Sequence, residues 1–310
     1  MSSRRDFLKT IFATGTALLM PDVLKAITNT NNLNRIVILH TNDTHSQIEP
    51  LPKTHHRFPN MGGYAARAAE INKIRGEGHP ILLFDSGDIF QGTPYYNMYG
   101  GELEIKLMSE MNYSAACIGN HEFDNGLDGL VNAMSYATFP FLSSNYIFKH
   151  PKLKDLVLPY KIFHFGKIKI GVFALGVNPS GLIGKDNFGE TEYKDPVVTA
   201  AQMAYKLKKV EKCTMVVCLS HLGYKPSREG EVGDFELAKQ SKNIDLILGG
   251  HSHTLLSKPV SVYNSDGKQL FITQNAYAGV RISRIDCFFS NAGELIFTDL
   301  HTNKILKKQA

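Results

Sequence analysis

The sequence predicts an α/β fold, built as a two-sheet αββα sandwich. Five apolar runs, IVILH, ILLFDSGD, AACIGN, MVVCLSH and DLILGG, have the length and composition of buried strands. Segments with helical spacing lie between them. From Phe139 onward the pattern becomes strand-rich. That mixture points to two sheets packed face to face with helices outside.

The elements follow in order. Strand Arg35–His40 precedes a helical stretch, Gly62–Arg75, rich in alanine and charge. Strand Pro80–Phe84 comes next, and Gly101–Asn112 reads as an amphipathic helix with Leu103, Leu107, Met108 and Met111 on one side. Strand Ser114–Ile118 is followed by a helix over Leu127–Tyr136. Tyr160–Phe165 and Ile168–Ala174 flank Gly166-Lys167 as a hairpin. Residues 176–195 form a Gly/Pro/Asn-rich loop, long enough to be functional. Helix Pro196–Val210, strand Thr214–Leu219, helix Phe235–Ser241 and strand Ile244–Leu248 follow, and Pro259–Ile305 alternates apolar and polar residues across several short strands. There is no internal repeat or low-complexity tract.

The N-terminus has its own logic. Arg4-Arg5 ahead of Phe7-Leu8-Lys9 and a modest apolar stretch, Ile11–Met20, reads as a twin-arginine export signal. The stretch is too short to span a bilayer, so no stable membrane span is expected. Cleavage near Ala26 is the expectation, with an uncleaved anchor as the alternative. Residues 1–26 are thus assigned to export, 27–34 to a polar linker and 35–310 to one catalytic domain, with a periplasmic location. The formal charge of +5 falls by two once Arg4, Arg5, Lys9 and Lys25 leave with Asp6 and Asp22. The residual excess fits an anionic substrate without demanding one, and no arginine-rich run or zinc-finger spacing argues for nucleic acid. Of the four cysteines, Cys117 and Cys218 fall inside apolar strands, so core thiols are expected rather than disulfides. Cys213 and Cys218 have no companion pair to make a zinc site.

The chemistry is concentrated where the apolar runs end. There stand Asp43-Thr44-His45, Gly87-Asp88, Gly119-Asn120-His121-Glu122 with Asp124, His221, and Gly250-His251-Ser252-His253. Open α/β sheets bind ligands beyond the carboxyl ends of their strands. Imidazoles, carboxylates and an amide oxygen are the donor set for a pair of divalent metals. The series therefore points to a dinuclear metallohydrolase.

The blocks HTNDTHSQIEP, GDIFQGTPYYNMYGGE, GNHEFDNG, LSHLGY and GGHSH resemble the calcineurin-like metallophosphoesterases, and most closely the 5′-nucleotidase branch, in order and spacing. The resemblance covers about residues 35–300. It implies one metal on Asp43, His45, Asp88 and His253 and a second on Asp88, Asn120, His221 and His251, with Asp88 bridging. It implies that a metal-bound hydroxide attacks a phosphate monoester, a 5′-nucleotide or related nucleotide. His121 would donate to developing charge, oriented by Asp124, and Glu122 would make a structural hydrogen bond. Many members of the branch carry Gln where His253 stands; imidazole there favours Zn²⁺, Fe or Mn²⁺ over Mg²⁺.

Family nucleotidases usually continue into a second, nucleotide-clamping domain, whereas this sequence ends at Ala310. The expectation is either a separate nucleotide-binding polypeptide, or recognition by loops 46–60 and 176–195. Tyr95, Tyr96 and Phe188 are candidate stacking surfaces, and His55-His56 a candidate for the site mouth. The alternatives are a cyclic-nucleotide or nucleotide-sugar phosphodiesterase, a thiosulfohydrolase-like enzyme, and a metal-dependent binding subunit.

Overall fold

The structure is a computed structural model that describes residues 33–226, 228–301 and, as backbone, 304–305. The strands are β1 Asn34–Thr41, β2 Ile81–Asp85, β3 Ala115–Cys117, β4 Phe141–Leu142, β5 Tyr146–Ile147, β6 Val157–Leu158, β7 Tyr160–Phe165, β8 Ile168–Gly176, β9 Glu192–Tyr193, β10 Met215–His221, β11 Leu246–Gly249, β12 Val260–Tyr263, β13 Gln269–Thr273, β14 Arg281–Phe289, β15 Leu295–Leu300 and β16 Lys304–Ile305. One sheet runs β15-β14-β1-β2-β3-β4-β6, with β16 on β14; the other runs β12-β13-β11-β10-β8-β7; β5 and β9 form a separate pair.

Strand periodicity explains the layering. Along β1, Ile36 and Ile38 point into a layer shared with Val172, Val217 and Leu248 of the second sheet. Val37 and Leu39 point the other way, under Ile71, Ile105 and Met108 of the flanking helices. The second sheet repeats this, with Val216, Cys218 and Ile247 covered by Ala200, Ala204 and Leu237. Successive side chains on a strand face opposite sides, so a strand buried on both faces reads as an unbroken apolar run. The αββα sandwich is the fold the sequence predicts.

The boundaries differ in ways that have physical causes. The first helix begins at Tyr64 rather than Gly62, because Gly62 and Gly63 turn with φ of 79° and 84°. Helix Glu102–Glu110 ends ahead of Asn112, whose φ is 51°. Loop 176–195 is not wholly irregular: it holds the short helix Lys185–Phe188 and strand β9, paired with β5. Helix Pro196–Tyr205 widens into a π-turn over Lys206–Val210. β10 runs to His221, two residues past its expected end, so this histidine is itself a strand residue. β14, antiparallel to β1, is nine residues long rather than short. The four cysteines are buried and free, and burial pushes the Cys117 and Cys218 thiols well above their usual range.

The export segment lies outside the described residues, as does the linker up to residue 32. Among the described residues, no helix is long and apolar enough to cross a membrane.

Candidate active site

The polar clusters meet because parallel strands β1, β2 and β3 of one sheet, and β10 and β11 of the other, end on the same side. Their connecting loops are held in costly backbone shapes. Asp43, His45, Asp88, His251 and His253 all have positive φ, from 47° to 71°. Non-glycine residues rarely adopt this region, and clusters of such strain mark functional sites. Glycines permit the close approach. A Cβ on Gly119 would lie 2.3 Å from Asp88 Oδ1, and one on Gly87 would lie 2.7 Å from the Gly119 nitrogen.

Two groups of donor atoms result: Asp43, His45, Asp88 and His253, and Asp88, His221 and His251, with the atoms in each group within 4.8 Å of one another. Asp88 Oδ2 is 3.1 Å from His221 Nε2 and 3.9 Å from His45 Nε2. His253 Nε2 is 3.4 Å from Asp43 Oδ1 and 2.9 Å from His45 Nε2. Donors around one ion at about 2.1 Å lie roughly 3–4 Å from each other, so these spacings suit a shared cation.

The buried atoms agree. Asn120 Oδ1 is buried without a hydrogen-bond partner, and the equally buried His221 Nε2 faces the Asp88 carboxylate at 3.1 Å. The other His221 nitrogen, Nδ1, donates to the Ser86 carbonyl at 2.7 Å, which turns Nε2 toward the donor group. A histidine that anchors one nitrogen on a carbonyl and aims the other inward has the arrangement of a metal ligand. The donor set therefore fits two divalent ions.

Around the donors lies a supporting layer. Glu122, 1% exposed, accepts from the backbone N–H of Asp88 at 2.9 Å, Ile89 at 2.7 Å, Phe90 at 3.3 Å and Gly119 at 2.6 Å. It thereby ties the β2 and β3 loops together, the structural role expected of it. Asn42 donates to Asp43 Oδ2, and the His251 N–H reaches both Asp43 oxygens at 3.0 Å. His40, not singled out from the sequence, is fully buried against Ser86 Oγ and Asn275, and burial lowers it to about 3. The strand ending IVILH offered no signal that this imidazole supports the site from behind.

Electrostatics separate the roles. Burial alone would raise Asp88, but His221 and His45 beside it hold its carboxyl well below the usual range. Burial would lower His121, yet its hydrogen bond to Asp124 and the nearby Asp88 carboxylate raise it to about 9. His121 Nδ1 lies 2.8 Å from Asp124 Oδ2, and its side chain remains part-exposed. His251 moves the other way, lowered to about 4 by burial and by His221.

The other aromatic candidates resolve differently. Tyr96 is 5% exposed and stacked on Phe90, so it belongs to the core; Phe188 packs against the same core. Loop 176–195 does reach the site, where Asn187 Nδ2 donates to the Asp124 carbonyl at 3.0 Å.

An αββα sandwich whose strand ends gather Asp, Asn and His defines the class: the metal-dependent phosphoester hydrolases. The sequence model of the calcineurin-like phosphoesterase family matches residues 36–255, and the chain belongs to that family. It is 35% identical over 234 residues to a 5′-nucleotidase of Vibrio parahaemolyticus, covering 72% of this chain and 40% of that protein. It is 30% identical over 284 residues to a venom 5′-nucleotidase of Crotalus adamanteus, covering 84% and 46%. The crystal structure of a 5′-nucleotidase precursor from Thermus thermophilus superposes with a TM-score of 0.76 at 31% identity, covering 88% of this chain and 54% of that one. The chain thus spans about half the length of these relatives.

Proposed function

We propose that this chain is a two-metal phosphoesterase that hydrolyses phosphate monoesters, with 5′-nucleotides as the preferred class. The observation that carries this reading is the position of Asp88, whose carboxylate takes part in both donor groups. The likeness to 5′-nucleotidases supports the substrate class.

Asp43, His45, Asp88 and His253 would hold one ion; Asp88, Asn120, His221 and His251 the other. When bound, two such cations polarise a phosphoryl oxygen and make water a usable nucleophile near neutral pH. The imidazole-rich donor set favours Zn²⁺, Fe or Mn²⁺. Asn120 can serve only through its amide oxygen, since its nitrogen is a donor.

His121 is kept cationic by Asp124 and donates to the charge that develops on the phosphoryl or leaving oxygen. Glu122 fixes the separation of the Asp88 and Asn120 loops. We also propose residues 35–310 as one catalytic domain and residues 1–26 as a twin-arginine export signal leading to the periplasm. The likenesses lend no support to a separate partner chain, and none is invoked.

The test is hydrolysis by purified protein loaded with Mn²⁺ or Zn²⁺, assayed on an aryl phosphate, AMP, a cyclic nucleotide and a nucleotide sugar. Turnover of AMP above the others supports the reading. Preference for the cyclic nucleotide or nucleotide sugar would replace it with a diesterase, and no metal-dependent turnover would refute it.

A further inference from the structure

The ring contacts of the site do not stop at the metal-ligand candidates. His121 meets His45 edge-on at 5.2 Å between centroids, and His45 meets His253 at 4.9 Å. His253 then stacks on Tyr277 at 5.1 Å with the planes 27° apart. The Tyr277 hydroxyl is 3.1 Å from His55 Nε2, and His55 stacks on His56 at 4.8 Å and 29°. A continuous file of rings therefore leads from the Asp124-oriented imidazole to an exposed imidazole on the surface.

The outer part of this file is held rigidly. Leu51 and Phe58 from one loop form a small buried cluster with Ala276, Ala278 and Val280 from another, and Tyr277 packs against it. Phe58 lies nearly parallel to His55, with the planes 10° apart. The His55–His56 stack thus rests on core while the His56 ring is exposed. Ala276 and Ala278 both have positive φ, 59° and 58°, so the loop carrying Tyr277 keeps a shape alanine does not prefer. The Ala278 N–H donates to the Asp43 carbonyl at 2.7 Å, which fixes that loop to the donor set.

We infer that Tyr277, His55 and His56 form an aromatic wall that recognises a planar ring on the leaving group of a phosphate ester, so that nucleotides are selected over esters lacking a base. Imidazole and phenol faces stack on any base without reading its edges, which makes such a wall selective for nucleotides as a class and tolerant of base identity. The inference rests on the phosphoesterase reading above for the position of the phosphate.

The test compares AMP with ribose 5-phosphate, which has the same phosphate and sugar but no base, using metal-loaded wild type, His56→Ala and Tyr277→Leu. The kcat/KM ratio of AMP to ribose 5-phosphate should fall by about fivefold or more in each variant, through KM, as loss of one base–aromatic stack predicts. A ratio unchanged in both variants would overturn the inference. So would an equal loss on both substrates, because Tyr277 would then serve only to brace His253. His56→Ala guards against a folding defect, since His56 is exposed and Tyr277 is not. If wild type hydrolyses neither ester, the phosphoesterase reading fails, and adenosine binding by saturation-transfer NMR judges the wall independently. An adenosine signal that is present with wild type and vanishes with His56→Ala sustains the wall; no adenosine signal with wild type refutes it.

Discussion

Replacing Glu122 by Gln should disconnect the two loops that carry Asp88 and Asn120 while changing no metal-ligand candidate. The wild-type carboxylate accepts two N–H groups on each oxygen: Ile89 and Phe90 on Oε1, Asp88 and Gly119 on Oε2. Glutamine can keep one oxygen and must turn its NH₂ toward the other pair, so two buried donors face a donor. A buried donor left unsatisfied costs about 1–3 kcal/mol, giving a gross loss of roughly 2–6 kcal/mol. Part is recovered. Burial and the neighbouring Asp88 push Glu122 up to about 7, so its charge is costly in the native state and the amide removes that cost. A net penalty of about 2 kcal/mol on the ordered loops corresponds to roughly thirtyfold weaker metal binding. The assay is Mn²⁺ or Zn²⁺ titration by calorimetry, with metal content after dialysis by mass spectrometry, alongside circular dichroism for the fold. Wild-type metal affinity and turnover in a folded Glu122→Gln protein would refute the clamp argument.

Three further outcomes are expected. His121→Ala should keep metal content near wild type and lower turnover by about 10²-fold or more, as removal of a positioned donor does; loss of metal instead would make His121 a ligand. Asp88→Asn should empty both metal positions, and two fully retained ions would exclude sharing of Asp88. Far from the site, His301, Arg35 and Arg284 hold Asp286 down to about 2 against the opposing effect of burial. A depressed carboxyl stabilises the fold at pH above its unfolded value near 4, and that contribution is lost as pH falls through about 2. Asp286→Asn should therefore lower stability by about 1–2 kcal/mol at pH 7 after allowance for screening of the half-exposed partners, with the gap to wild type closing as pH falls from 4 toward 2. Urea melts across that range measure it, and a gap independent of pH would sink the assignment.

What the sequence determined by itself was the layering, together with a roster of candidate donors. Both are local properties. An apolar run such as Val37–Leu39 reads as a strand buried on both faces, and the short loop after it must present Asp43 and His45 at the strand end. The hairpin around Gly166-Lys167 was legible for the same reason, since a tight turn fixes its own register. Boundaries set by a single left-handed residue, as at Asn112, were not legible, because αL geometry in a non-glycine residue is held by its surroundings. Neither were the partners of the side chains around the donors, even for Glu122, where a structural hydrogen bond was expected. His40, Glu122 and Tyr277 act through partners 46, 33 and 222 positions away in Ser86, Ile89 and His55. Only the tertiary structure brings such pairs together, because the separation in sequence carries no information about which strand ends share one side of two stacked sheets.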